Sequence, residues 1–219
     1  HFGAGEGRQL TIGAHKGRLI VAGGDERYMD PRGKVTGKKV GAWISDDHGE
    51  TWTFNEIKTP DAITSARNIS CEARISELPD GRLIYNMRSR SSGRQIAFSR
   101  DGGGNWTRTM TAKELVAAQC NGSTITVRDH EGKLTQTVLC SLPRGSGRNN
   151  GVIYVSRDGG RTWPQHKLII PAAFAYSALL QLDAETVGLF YETNHHRDNC
   201  FVERSDGDQL EPPPSDTRE

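Results

Sequence analysis

One eight-residue frame, Ser-x-Asp-x-Gly-x-Thr-Trp, occurs three times in this 219-residue chain and constrains its fold more than any other feature. The copies begin at Ser45, Ser99 and Ser156, so they lie 54 and 57 residues apart; the second copy carries Asn in place of Thr. A fixed pattern that returns at near-constant spacing of this length is typical of solenoids, propellers and other repeat arrays.

The residue types of the frame predict a hairpin turn. Asp and Ser carry short side chains whose oxygens can bond the local backbone, and Gly can adopt a positive φ. Polar and apolar residues alternate in 40–44, 94–98 and 151–155, directly before the three copies, which is the pattern of a strand. We therefore predict that each frame is structural, joins two strands of one repeat, and ends on a Trp that packs beneath the turn.

The segments between the frames also read as short strands, which gives about four strands per repeat, the composition of a propeller blade. We predict an all-β fold in which residues 1–210 supply about four blades of a β-propeller. The C-terminal residues 211–219 include three consecutive prolines and are predicted to be a disordered tail. The predicted strands are 17–24, 38–44, 52–54, 72–78, 82–88, 94–99, 123–127, 134–141, 151–156, 176–182, 187–192 and 201–203.

Composition argues against several classes of function. The formal net charge is +1, which argues against a nucleic-acid-binding surface. Apolar runs all stay shorter than the roughly 18 residues needed to cross a bilayer. The four cysteines lie far apart, and His195-His196 has no further ligand at metal-binding spacing, so we expect no metal site.

Glycosylation sequons bear on the compartment of the protein. Asn-x-Ser/Thr sequons occur at Asn68, Asn105 and Asn121, and they slightly favour a secreted, lysosomal or lumenal location over the cytosol. The chain opens on His1 without a signal peptide, and we expect it to have been cut from something longer.

The repeated frame resembles the Asp-box, or BNR repeat, of the sialidases (neuraminidases). The segments between the frames resemble that family more specifically: Phe2 to Gln9 with Gly17-Arg-Leu-Ile, the Glu-strand-turn-strand-Arg unit from Glu72 to Arg88, and the closing Tyr-Ser and Tyr-Glu pairs within 176–192. The similarity extends from about residue 2 to residue 192. It implies a six-bladed β-propeller of the sialidase type, of which this chain would hold the C-terminal portion.

The resemblance also implies a site. Glu72 and Tyr176 are implied as the nucleophile pair, with Tyr176 attacking the sugar and Glu72 accepting its proton. Arg88 and Arg148 are implied as two members of the arginine triad that grips the carboxylate of sialic acid. Arg144 lies in the same loop as Arg148 and remains an alternative for the second position.

Two further residues are implied as supports. Glu192 corresponds to the carboxylate that orients the first arginine of the triad, and Asn121 begins a stretch that resembles part of the pocket wall. The resemblance implies no cofactor. We predict that the remaining arginines of the second repeat are solvated or structural: Arg74, Arg82, Arg90 and Arg94.

These residue types suit the substrate. Three guanidinium groups can form planar, charge-assisted bonds to the carboxylate on the anomeric carbon of sialic acid. A carboxylate nucleophile would be repelled by that group at short range, whereas a neutral phenol would not be. Because free Tyr has a pKa near 10, the phenol needs a base, and Glu72 is the candidate.

Parts of the family pattern are missing from this chain. The first arginine of the triad and the acid/base aspartate would belong to an N-terminal portion, so we expect residues 1–219 alone to be inactive and unstable. We predict an exo-α-sialidase, a glycoside hydrolase that acts on terminal sialic acid of glycoproteins, glycolipids or oligosaccharides. The alternatives are a non-catalytic carbohydrate-binding or receptor propeller and a trans-sialidase, which would use the same residues.

Overall fold

The computed structural model describes residues 2–29, 35–58, 69–89, 93–116, 120–145, 147–193, 199–202, 204–205 and 209–210. Side chains are described for residues 7–24, 39–58, 72–89, 93–116, 120–145 and 147–193. The predicted tail 211–219, the sequon at Asn68, Arg90 and the pair His195-His196 lie outside the described residues.

The described part of the chain is built from short strands that follow one another in sequence, and it includes no helix long and apolar enough to span a membrane. The strands are β1 (Phe2–Gln9), β2 (Leu19–Met29), β3 (Val35–Ser45), β4 (Thr53–Glu56), β5 (Ile69–Glu77), β6 (Leu83–Ser89), β7 (Arg94–Ser99), β8 (Met110–Ala112), β9 (Ser123–Arg128), β10 (Leu134–Pro143), β11 (Asn149–Ser156), β12 (Gln165–Ala173), β13 (Ser177–Gln181), β14 (Val187–Glu192), β15 (Asn199–Val202), β16 (Arg204–Ser205) and β17 (Gln209–Leu210).

The strands form successive antiparallel sheets, each made of consecutive strands. Blade 1 is β1–β4, blade 2 is β5–β8 and blade 3 is β9–β12; blade 4 is the three-stranded sheet β13–β15, and β16 pairs with β17. The first strands of neighbouring blades contact one another, β1 with β5, β5 with β9 and β9 with β13. This arrangement confirms the all-β class and the four predicted blades, and it makes the first strand of each blade the inner one.

The core lies between successive blades because strand side chains alternate between the two faces of each sheet. Ile20 and Ala22 of blade 1 are buried against Tyr85 and Met87 of blade 2. Similar clusters join blade 2 to blade 3 and blade 3 to blade 4. Each blade therefore needs a neighbour to cover its apolar face, as in other repeat proteins.

The three frames form the predicted turns. In the third copy, the Ser156 hydroxyl accepts a hydrogen bond from the Gly160 amide at 2.8 Å, and Asp158 accepts from the Thr162 amide at 3.0 Å and hydroxyl at 2.7 Å. In the first copy, hydrogen bonds from Thr51 and then Ser45 lower the pKa of Asp47 from 3.8 to about 2. Because folding lowers this pKa, these bonds stabilise the turn above pH 3.8, and that stabilisation is lost as the pH falls towards 2.

The second and third turns pack on the preceding blade. Gly103 lies against Ile20 of blade 1, and Gly160 lies against Ile84 of blade 2. Trp163, at the end of the third frame, is accordingly 1% exposed, whereas Trp52, at the end of the first, is 37% exposed. Trp52 still packs beneath its own turn, as predicted, because its Nε1 donates a hydrogen bond to the Gly49 carbonyl at 3.0 Å. It is more exposed than Trp163 because no described blade precedes blade 1 to cover it.

The fit between a turn and the preceding blade gives a stability prediction. Gly160 has a φ of +83°, and a Cβ there would lie 2.1 Å from the Cδ1 of Ile84. We expect Gly160→Ala to lower the free energy of unfolding by about 2–4 kcal/mol, through backbone strain and overpacking together.

The matched control is Gly81→Ala, in a turn of blade 2 where φ is +79° and nothing lies within 4 Å of the added Cβ. It should cost about 1 kcal/mol, the backbone contribution alone. Denaturant unfolding of both variants measures the difference. Equal losses would show that close packing of the third turn on Ile84 contributes nothing.

Candidate active site

The residues implied by the resemblance lie at one end of the inner strands. Glu72 is near the start of β5 and Arg88 near the end of β6, and the antiparallel register Ala73↔Met87 brings both to the same end of blade 2. Tyr176 directly precedes β13 of blade 4. Strand polarity therefore delivers these side chains to one end of the blades although they are far apart in sequence.

The centre of the site is a contact between three side chains. The Tyr176 hydroxyl donates a hydrogen bond to Glu72 Oε1 at 2.7 Å. Arg88 Nη1 donates to Glu72 Oε2 at 2.6 Å and lies 3.3 Å from the Tyr176 hydroxyl oxygen. The structure thus brings together a phenol, a carboxylate that can accept its proton, and a guanidinium that neutralises that carboxylate.

The surroundings keep the phenol protonated. Burial raises the pKa of Tyr176, and the hydrogen bond and charge of Glu72 raise it further, while the charge of Arg88 opposes them. Burial alone would lower the pKa of Arg88, but its hydrogen bond and ion pair with Glu72 outweigh that effect and raise it. The phenol can therefore act as a nucleophile at neutral pH only if a base removes its proton as it reacts, and Glu72 is in contact to do so.

The structure separates the two candidate arginines of the 144–148 loop. The guanidinium carbon of Arg148 lies 5.2 Å from the centroid of the Tyr176 ring, and the Arg148 carbonyl accepts a hydrogen bond from the Phe174 amide at 2.9 Å. Arg144 Nη1 instead contacts His166 Nε2 at 2.6 Å, on the outer strand β12. Arg148 thus lies at the site, and Arg144 points away from it.

This placement gives a prediction with a built-in control. If Arg148 forms charge-assisted hydrogen bonds to the substrate carboxylate, Arg148→Ala should raise KM roughly 10- to 100-fold, because those bonds to the bound sugar are lost. Arg144→Ala removes the same kind of side chain from the same loop and should leave KM unchanged. Steady-state kinetics on a fluorogenic sialoside measure both, and the reverse ranking would assign the role to Arg144.

Comparison with known families identifies the family of this chain. The model of the BNR repeat-like domain matches residues 3–190. The chain belongs to the sialidase family with BNR repeats. It is 34% identical over 195 residues to a sialidase of Micromonospora viridifaciens, covering 86% of this chain and 28% of that protein. It is 34% identical over 162 residues to a sialidase of Bacteroides fragilis, covering 71% of this chain and 28% of that protein.

A solved sialidase-type structure is similar to this chain in fold as well as in sequence. The crystal structure of an intramolecular trans-sialidase from Ruminococcus gnavus in complex with oseltamivir carboxylate aligns with a TM-score of 0.71 and 28% identity. The alignment covers 95% of this chain and 44% of that one. The chain therefore spans less than half the length of these sialidase relatives.

Of the two predicted supporting residues, Glu192 contacts Tyr176 and Asn121 lies buried before the first strand of blade 3. Glu192 ends β14; its carboxylate accepts a hydrogen bond from the Tyr176 amide at 3.4 Å, and its own amide donates to the Tyr176 carbonyl at 2.9 Å. Asn121 is buried just before β9. Because the Asn121 sequon is buried, it is not accessible for glycosylation in the folded chain.

Three other arginines of blade 2 are buried. The sequence predicts a solvated or structural position for Arg74, Arg82 and Arg94, and their burial selects the structural alternative. The signal in the sequence was their position inside alternating strands, which outweighs the general tendency of Arg to stay exposed.

Sequence reasoning also assigned no role to Cys120, a buried thiol next to Asn121. Burial raises its pKa to about 11, and the nearby charges of Arg148 and Arg88 oppose that shift. The Cys120 thiol therefore stays protonated at neutral pH. It is a neutral buried group close enough to Arg148, Arg88 and Glu72 to feel their charges.

Proposed function

We propose that the protein carrying this chain is a retaining exo-α-sialidase that uses Tyr176 as nucleophile and Glu72 as its base. The observation that carries the proposal is the 2.7 Å hydrogen bond from the Tyr176 hydroxyl to a Glu72 carboxylate held by Arg88. The substrate class is a terminal sialic acid on a glycoprotein, glycolipid or oligosaccharide, as the names of the sialidase relatives suggest.

The proposed reaction has two steps. In the first, the Tyr176 oxygen bonds to the anomeric carbon as the glycosidic C–O bond breaks, the phenol proton passes to Glu72, and an acid protonates the departing oxygen. In the second, water attacks the anomeric carbon as the bond between that carbon and the Tyr176 oxygen breaks, an acid/base group takes a proton from the water, and Glu72 returns a proton to the departing Tyr176 oxygen. We place the acid outside these 219 residues, in an N-terminal portion of the same propeller.

In the proposed binding mode, the charged side chains of the site contact the bound sugar or orient one another. Arg88 and Arg148 would contact the carboxylate of the sugar from two sides of Tyr176, and the third arginine of the triad would come from the missing portion. Glu192, beside the Tyr176 backbone, would orient that third arginine. Asn121 would form part of the wall.

Open apolar faces support the proposal that further blades complete the propeller. Leu180 and Phe190, on the face of blade 4 that does not contact blade 3, are 65% and 39% exposed. Trp52 of blade 1 is also exposed, as described above. In a closed propeller ring, the open face of blade 4 and the exposed side of blade 1 would each be covered by a neighbouring blade. Residues 1–219 alone are therefore expected to be unstable and inactive, and the secretory or lumenal location stays a prediction from sequence.

The test is product analysis with the full-length protein and 3′-sialyllactose. Hydrolysis gives free sialic acid and lactose. Binding without products would favour the carbohydrate-binding or receptor propeller and overturn the proposal. Because the leech intramolecular trans-sialidase, another structural relative, was solved in complex with 2,7-anhydro-Neu5Ac, that anhydro sugar is a second candidate product. Sialic acid transferred to added acceptor lactose would identify a trans-sialidase.

A further inference from the structure

Arg94, the first residue of β7, is 2% exposed. Arginine is almost never buried so completely unless it is paired, and its guanidinium stays charged in proteins even where burial lowers its pKa, as here. Its hydrogen bonds go from Nε to Asn86 Oδ1 at 2.6 Å, from Nη2 to the Asn86 carbonyl at 3.3 Å, and from Nη1 to the Cys120 carbonyl at 3.2 Å. All three acceptors are neutral.

These bonds join two blades beneath the site. Asn86 lies on β6 of blade 2, two residues before Arg88 and on the same face, and Cys120 directly precedes Asn121 at the entry to blade 3. Asn86 extends the link, because its amide also donates to the Thr124 hydroxyl of β9 at 3.0 Å. Arg94 therefore fixes the start of blade 3 against the strand that carries Arg88.

Arg94 also adds a fixed positive charge behind Arg88. The register Met87↔Gln95 places Arg94 next to Arg88 across the β6–β7 pair. The charge of Glu72 acts favourably on Arg94, and that of Arg88 acts unfavourably. A retreat of Arg88 towards the sheet would bring two like charges together, so Arg94 favours the extended position in which Arg88 contacts Glu72.

We propose that Arg94 is a positioning residue of the sialic acid site, which it serves through Arg88 and the 120–121 wall without touching the sugar. The inference rests on the proposed function, because it assigns Arg88 and Asn121 to substrate binding. A misplaced binding group weakens ligand affinity even when the group itself is intact.

The experiment compares Arg94→Met with Arg82→Met in the full-length protein. Arg82 is also buried in blade 2, but it lies at the opposite end of β6 and pairs with Asp80 at 2.6 Å. We expect both variants to melt at a lower temperature than the wild type. Arg94→Met alone should raise KM and the Kd for oseltamivir carboxylate roughly tenfold, with kcat changed less than about threefold.

Arg94→Lys supplies a second test, because Lys keeps the positive charge but cannot reproduce the planar guanidinium, whose several N–H donors bond Asn86 and Cys120 together. It should recover part of the lost affinity, and it serves as the test variant if Arg94→Met does not fold. Affinity and KM in Arg94→Met and Arg94→Lys equal to those of Arg82→Met would overturn the positioning role. A wild-type protein that neither cleaves 3′-sialyllactose nor binds oseltamivir carboxylate would overturn the proposed function, and the Arg94 inference with it.

Discussion

Tyr176→Phe in the full-length protein is expected to lower kcat at least about a thousandfold while leaving the Kd for oseltamivir carboxylate within about threefold. The substitution removes only the hydroxyl oxygen that lies 2.7 Å from Glu72 and keeps the ring that faces Arg148. Binding should survive because the proposed carboxylate contacts come from arginines. The chemical step should not survive, because no oxygen remains to bond to the anomeric carbon.

The matched control is Tyr154→Phe. Tyr154 lies in blade 3, where its hydroxyl donates to the Val116 carbonyl at 3.1 Å, so its loss removes a partly buried phenol hydrogen bond away from Glu72. We expect a small loss of stability and unchanged kcat. Steady-state kinetics with a fluorogenic sialoside and calorimetric titration of the ligand give both quantities. A Tyr176→Phe protein with wild-type kcat would end the assignment of Tyr176 as nucleophile.

Glu72→Gln is expected to lower kcat by about 10²- to 10⁴-fold, the usual contribution of a positioned general base. The amide has nearly the same shape but is a very poor proton acceptor, so the phenol would have to attack while still protonated. The variant also removes the charge that Arg88 contacts at 2.6 Å, and a modest rise in KM should accompany the loss of turnover.

Two comparisons make the Glu72 result specific. Glu77→Gln alters a buried carboxylate at the other end of β5, which accepts hydrogen bonds from the Thr11 amide and hydroxyl, so it should lower stability without lowering kcat. The double variant Tyr176→Phe/Glu72→Gln should lose little more than Tyr176→Phe alone, because the two residues act in one step. Fully additive losses would indicate that Glu72 does not serve Tyr176.

Much of the fold could be predicted from sequence because it repeats. The three frames revealed the period. Their turns depend on hydrogen bonds within the frame itself, such as the one from the Gly160 amide to the Ser156 hydroxyl, so the local sequence is enough to predict them. The exposure of Trp52 could not be predicted in the same way. The exposed fraction of Trp52 depends on whether another blade packs against blade 1. The frame sequence itself does not contain that information.

The site was predictable only through family resemblance. Glu72 and Tyr176 are 104 residues apart, and nothing in local periodicity brings their side chains together. The resemblance favours Arg148 over Arg144 in the same loop, and the directions of the two side chains became visible only in the structure. The sequence left Arg94 as either solvated or structural, because only the packing of one blade on the next decides whether that position is buried.

The most direct measurement is to trap the covalent intermediate. A 2,3-difluorosialic acid should react once with the full-length protein, since fluorine at carbon 3 destabilises the oxocarbenium-like transition state of breakdown and slows hydrolysis of the glycosyl–enzyme bond. We predict that mass spectrometry of the digested protein will find the sugar attached to Tyr176, and that Tyr176→Phe will remain unlabelled. Label on another residue, or full turnover with no label on Tyr176, would contradict the account.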